Sequence, residues 1–327
     1  MKKIMAFLLA LMMLFALAAC GDEAQTPQFN LTPDGNNAAN TDPAVGTAAG
    51  TPEEAPAEQV PARESFADYL AYAQEQMQNA ESFHMDMVMD LDMTIELMGQ
   101  SMNMEISTDY SIDSLKAPMM LKMEIEMVMS MLGQTEKQSG IYYAVEDEDG
   151  YKTYMSSDGG VTWTKSNEDS IDEAEQQQKT EEQMELFMAC ADTFQEIGRE
   201  DVNGVEAILF KGKLSGDYVE QAIQNSGSLD SLGDLTGGDG AEAMMEDLGE
   251  IDVTIAFDVK TGYILYYEMD MAQPMGAIMT SALEQSMASQ GTAVPVTVNM
   301  SKAFARVDLS QINAIDTIEI PEAALAA

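Results

Sequence analysis

From Phe83 to Leu97 every odd-numbered residue is apolar: Phe83, Met85, Met87, Met89, Leu91, Met93, Ile95 and Leu97. The even positions are His84, Asp86, Val88, Asp90, Asp92, Thr94 and Glu96, six of the seven polar or charged. A helix would scatter such a pattern around its cylinder, because it turns about 100° per residue. A strand sends successive side chains to opposite faces and sorts it cleanly. The segment therefore predicts one long strand with a dry face and a wet face. At about 3.3 Å per residue it extends roughly 50 Å, and it needs partners of matching length to satisfy its backbone.

The chain supplies those partners next. Gly99-Gln100 predicts a hairpin into a second alternating strand with Met102, Met104, Ile106, Tyr110 and Ile112 inward. Pro118 punctuates, and a third strand puts Met119, Leu121, Met123, Ile125, Met127, Met129 and Met131 on one face. A turn at Gly133 leads into a fourth strand ending at Tyr142, Tyr143 and Val145. Leu97-Met98-Gly99-Gln100 and Met131-Leu132-Gly133-Gln134 read as one turn used twice, not as a solenoid repeat. Asp149-Gly150 and Asp158-Gly159-Gly160 add further turns, with Trp163 in a short edge segment.

Helices flank these strands. Ser65 with Asp68 three residues on forms a capping box, and Phe66, Tyr69, Leu70, Ala73, Met77 and Ala80 follow at helical spacing. A second helix is expected over 181–191, a short one over 217–223, and another over 277–287. Strands are expected on either side of Asn203-Gly204, a hairpin dipeptide, and over 251–257, 263–271 and 294–307. Residues 225–240, rich in glycine and acid, read as a flexible excursion. Long antiparallel strands with a few helices to one side give an α+β fold, expected as one domain over 64–327.

The N-terminus reads differently. Lys2 and Lys3, an apolar run from Met5 to Ala19 and then Leu17-Ala18-Ala19-Cys20 follow the order of a secretory signal. The run is too short to span about 30 Å of hydrocarbon. Small residues before Cys20 suit a peptidase cleft, so cleavage is expected after Ala19. Residues 21–63, with six prolines among small and acidic residues, predict a solvated tether averaging about 35 to 40 Å end to end. Losing Lys2 and Lys3 takes the formal charge from -42 to -44. So acidic a chain repels nucleic acid and anionic lipid headgroups.

These features resemble the superfamily of lipoprotein carriers and their lipid-binding relatives, closest in style to uncharacterised lipoproteins of Gram-positive bacteria. The residues that carry the resemblance are the Met-rich strands from Phe83 to Met131, Gly160 to Lys165, Val202 to Ala207, Phe257 to Gly262 before a strand, and Ile318 to Ala323. The lipobox at Cys20 resembles that of bacterial lipoproteins. The resemblance implies lipidation of Cys20 and a membrane anchor on the extracytoplasmic face. It also implies an open, strongly bent antiparallel sheet (a half-barrel) packed on helices, with a hydrophobic cavity for acyl chains. The extreme acidity and the glycine-rich segment at 225–240 depart from the pattern.

Methionine is the unusual residue, 29 in all with four in the leader. Its thioether is flexible and polarisable, so an inward Met face serves either as the lining of a pliable cavity or as filler for a bent core. Soft-metal binding is the third use. It is disfavoured because Met85, Met87 and Met89 stand about 6.5 to 7 Å apart along one strand. The mid-strand residues expected to line a cavity are Met87, Met89, Leu91, Met104, Met123, Ile125 and Met127.

No catalytic constellation emerges. His84 is the sole histidine and is expected on the wet surface, and no G-x-S-x-G or H-E-x-x-H motif occurs. Cys190 lies in an apolar segment without a basic neighbour and reads as an inert thiol. Asp147 to Gly150 fails as a calcium loop because Val145 and Ser156 occupy ligand positions. Asp230, Asp234 and Asp239 read as a solvated acidic loop. With 57 acids, chance carboxylate pairs carry no weight for a glycosidase. A non-catalytic module without cofactor or metal is expected, binding a lipid or other hydrophobic ligand. The alternative is a sensor with a filled core whose acidic surface meets a cationic protein partner.

Overall fold

A computed structural model describes residues 63–147, 150–168, 187–216, 249–289 and 295–327. The leader, Cys20, the tether, the 217–223 helix and the 225–240 excursion lie outside these residues, as does most of the expected 181–191 helix.

Helix α1 (Phe66–Gln78) opens the described chain, and its capping box forms as expected: Asp68 N–H donates to Ser65 Oγ at 3.2 Å while Ser65 N–H donates to Asp68 Oδ2 at 3.0 Å. Four long strands follow: β1 (Ser82–Leu97), β2 (Gln100–Leu115), β3 (Met120–Met131) and β4 (Gln134–Asp147). Next come β5 (Gly150–Ser156), β6 (Thr164–Glu168), β7 (Gln195–Val202), β8 (Val205–Leu214), β9 (Ile251–Asp258) and β10 (Ile264–Asp270). Helix α2 (Ala272–Ser289), strand β11 (Val296–Ser310) and the short α3 (Glu322–Leu325) complete the chain.

All eleven described strands join one antiparallel sheet in the order β6-β5-β4-β3-β2-β1-β11-β10-β9-β8-β7. Strand β1 lies at its centre because β11 returns from the far end of the sequence to pair with it from Leu97↔Val296 to His84↔Ser310. A bulge between Asp92 and Met93 adjusts that register. The edges, β6 and β7, do not meet, so the sheet is an open half-barrel and the fold is α+β. Both edges are blunted: β6 is five residues long, and β7 carries Glu196, Arg199, Glu200 and Asp201 with a bulge between Glu196 and Gly198. Inner-face residues of strands far apart, Tyr110 on β2 and Phe210 on β8, belong to one contiguous core, which places the curvature around α1 and α2.

The sheet's two halves are covered differently. Under β8 and β9, Phe66 of α1 stacks on Phe194 at 3.9 Å and meets Phe210 and Phe257 edge-on at 5.6 and 6.0 Å. A Cβ at Gly212 would come within 2.4 Å of the Phe194 ring, so glycine there is what admits the ring. Helix α2 lies against β11, where Val298 N–H donates to Thr280 Oγ1 at 3.1 Å. Among the described residues α2 packs chiefly on β11.

Several boundaries differ from expectation. The first hairpin turns on Met98-Gly99 (φ 53° and 75°), one residue earlier than Gly99-Gln100, and β3 starts at Met120, leaving Met119 outside the strand. Helix α2 starts at Ala272, five residues before the expected 277. Pro274 is tolerated in a first turn, where its missing N–H costs nothing, and Asp270 accepts from Ala272 N–H at 3.0 Å. The largest addition is a second cluster on the sheet's outer face. The chain after β11 is tied down by Asn313 N–H to Ser82 O at 2.7 Å and Ile315 N–H to Ser82 Oγ at 3.0 Å. Ile318 and Ala324, with Ile315 and Ile320, then pack on Tyr143, Tyr154, Met120 and Trp163.

Candidate functional site

The seven residues expected to line a cavity all fall on one face of β1, β2 and β3. Cross-strand pairs join them: Met87 to Tyr110 to Ile125, Met89 to Thr108 to Met127, and Leu91 to Ile106 to Met129. Met104 stands opposite Met93 on one side and Met131 on the other, and Met123 stands opposite Ile112. Strict alternation in each strand, held in register by the two-residue Met98-Gly99 turn between β1 and β2 and by a four-residue connection between β2 and β3, produces this alignment.

Cover over the face is graded. Met87, Met89, Leu91 and Met127 are buried in the core, and Leu91 is fully so. Met104, Met123 and Ile125 are only half-buried, together with Met129, Met131 and Leu121. The next strand, β4, continues the face with Tyr142 opposite Met123, Gly140 opposite Ile125 and Gln138 opposite Met127. The result is an apolar, thioether-rich surface, dry at β1 and increasingly accessible toward β3.

One polar atom interrupts it. Among the described residues the Tyr110 hydroxyl is buried without a hydrogen-bond partner, and its residue is 6 % exposed. Burial raises its pKa to about 12, so it stays a neutral donor. A buried hydroxyl left unpaired costs about 1 to 3 kcal/mol, a cost a ligand acceptor would offset. Sequence reading placed Tyr110 on the inward face, but the loss of a partner depends on neighbours that alternation does not reveal.

His84 lies on the wet face of β1, as expected, and is paired there: Nδ1 lies 2.6 Å from Asp113 Oδ1 across the β1/β2 pair, and Nε2 lies 3.1 Å from Asp86 Oδ2. Burial opposes charge on the ring, but the hydrogen bond and charge of Asp113 and the charge of Asp86 outweigh it, so the His84 pKa is raised. The sequence held the signal in Asp86, two residues away on the same face. Cys190 is buried and free, and burial pushes its thiol pKa up.

The outer face of β1 to β3 carries a shallow groove of about 180 Å³ lined by Asp90, Asp92, Glu105, Ser107, Ser130 and Lys302. Lys302 Nζ and Ser107 Oγ both donate to Asp90 at 2.8 Å, and their hydrogen bonds lower its pKa despite burial. Among the described residues no group of three or more His, Cys, Asp or Glu is arranged to hold a metal ion. No described helix is long and apolar enough to cross a membrane.

Residues 66–327 match the family described as "Family of unknown function (DUF6612)", and the chain belongs to that family. No curated protein matches. Solved structures similar to the chain include lipoprotein LppX of Mycobacterium tuberculosis (9 % identity, 77 % of this chain and 97 % of that one, TM-score 0.31). They also include LprF of Mycobacterium bovis (10 %, 79 % and 96 %, TM-score 0.38). A putative outer membrane lipoprotein-sorting protein domain of Vibrio parahaemolyticus matches at 9 % identity over 76 % of this chain and 93 % of that one, with a TM-score of 0.17.

Proposed function

We propose that this member of the DUF6612 family is a non-catalytic lipoprotein, anchored through Cys20 at the extracytoplasmic face of a membrane. The Met-rich face of β1 to β3 takes up the apolar part of a lipid or similar hydrophobic ligand there. The observation that carries the reading is the half-buried surface formed by Met104, Met123, Ile125, Met129 and Met131 beside an unpaired Tyr110 hydroxyl. Thioethers adapt to chains of variable shape, and one neutral donor suits an ester or carboxyl oxygen at the head of such a chain. Met87, Met89, Leu91 and Met127 form the floor on which this surface rests.

A Cys20→Ala chain tests both parts. It should leave the membrane fraction, and organic extraction with mass spectrometry of the released protein should recover a lipid. Persistence in the membrane refutes the anchor. An extract without lipid refutes the ligand and favours a second reading, a filled-core module whose acidic outer surface meets a cationic protein. The groove at Asp90, Asp92 and Glu105 supports that alternative, which requires partner binding that weakens steeply with salt.

A further inference from the structure

The three most exposed large hydrophobic residues among those described are Val161 (78 %), Leu132 (73 %) and Met98 (69 %). Each occupies the connection of a hairpin: Met98 between β1 and β2, Leu132 between β3 and β4, Val161 between β5 and β6. In an antiparallel sheet of order β6 to β1 these alternate connections all emerge at the same end. Three apolar side chains therefore project from one rim.

Local chemistry makes two of them deliberate. Met98 and Leu132 sit at φ 53°, each followed by a glycine at φ 75° or 77°. A bulky side chain is disfavoured in this left-handed region, where asparagine before glycine is the preferred choice. The same chain uses that choice elsewhere: the β7/β8 hairpin turns on Asn203-Gly204 at φ 55° and 85°, at the opposite end of the sheet. One backbone geometry thus carries asparagine at one end and an exposed methionine or leucine, twice, at the other. Residues 97–104 and 127–135, which surround the two tips, contain no charged side chain in a chain of formal charge -42. In the third connection Asp158 is turned onto its own loop, accepting from Ser156 Oγ, Val161 N–H, Thr162 N–H and Thr162 Oγ1 at 2.6 to 3.1 Å.

We infer that this rim is a membrane-contact surface: the Met98 and Leu132 tips, with Val161 beside them, enter the interface of an electrically neutral, zwitterionic bilayer. A neutral surface is required because the chain's net negative charge opposes approach to anionic headgroups. Apolar side chains in an uncharged setting partition into the headgroup boundary without burying charge. The inference rests on the reading that the protein works at a membrane. It explains how a ligand would reach the inner face, since Met102, Met104 and Met131 lie just behind the two tips.

The test uses the mature chain with Cys20→Ala, so that no lipid anchor contributes, and phosphatidylcholine vesicles in a flotation assay. Parent protein should float with the vesicles, insensitively to salt, and float less as anionic lipid is added. The Met98→Asn/Leu132→Asn double variant should lose vesicle affinity about tenfold or more, as expected when two such side chains leave an apolar phase. Its melting temperature should be unchanged or raised, since Asn-Gly is the better turn. Equal flotation of the two proteins, or no flotation of the parent, overturns the inference. So does a parent that self-associates while the double variant is monomeric, because the tips would then join copies of the chain. Lipid recovered by extraction from a parent that fails to float leaves the ligand-binding reading standing and removes only this one.

Discussion

The two halves of the half-barrel share one sheet and one contiguous core, yet they are filled by different chemistry. Under β8 and β9 the filling is aromatic and branched, with Phe66, Phe194, Phe210 and Phe257 in mutual ring contact beneath α1. Toward β3 it is mostly methionine and half-buried, with Met104, Met123, Ile125, Met129 and Met131 beside the buried Ile106, Tyr110, Ile112 and Met127. Rings with two side-chain torsions lock a fixed arrangement, whereas thioethers accept many. One half is therefore the more rigidly packed of the two.

The widest separation between them should be in stability. Phe257→Ala removes a fully buried ring and should cost about 3 to 5 kcal/mol in urea denaturation, whereas Ile125→Ala, from a half-buried site, should cost only about 1 to 2 kcal/mol. Similar costs at the two sites would mean that the methionine half is a closed core as well.

Tyr110→Phe sharpens the contrast at a single atom. Removing an unpaired hydroxyl should leave the protein as stable as before or up to about 1 kcal/mol more stable, while the amount of co-purified lipid falls. A loss of stability would show that the hydroxyl has a structural partner.

The smallest effect concerns the wet face above this half. His84 has its pKa raised in the folded state by Asp113 and Asp86 against burial. The stabilisation is therefore complete below the ordinary histidine pKa of about 6.5 and is lost as pH rises through the higher folded value. Melting temperature should fall slightly over that window. In His84→Gln this histidine-linked fall should be absent, and a slope equal to the parent's would assign the effect to other groups.

Much of the architecture was legible because strand β1 is unambiguous. Alternation set its faces, the two-residue turn after it set the register of β2, and the alternation of β3 continued the same face, so that all seven expected lining residues lie on one surface. What escaped was long-range. Pairing of β1 with β11 joins segments about 200 residues apart, and nothing local announces it. The outer cluster had a faint signal: Ile141 to Val145 is apolar at every position, as expected of a strand buried on both faces, but its cover comes from Ile315 to Ala324. The pairing of His84 with Asp113 could not be read, because the two are adjacent only once the β1/β2 register is known. How far each methionine is covered depends on helix placement, which periodicity within a strand does not encode.

The decisive quantity is the amount of lipid per protein retained by the secreted Cys20→Ala chain, measured by extraction and mass spectrometry against the same chain carrying Ile125→Asp. The account predicts a reproducible lipid in the parent and its near-complete loss in the variant, with circular dichroism unchanged, because a carboxylate on the half-buried face repels an acyl chain without emptying the aromatic half. A parent without lipid, or a folded Ile125→Asp variant that retains as much as the parent, would contradict it.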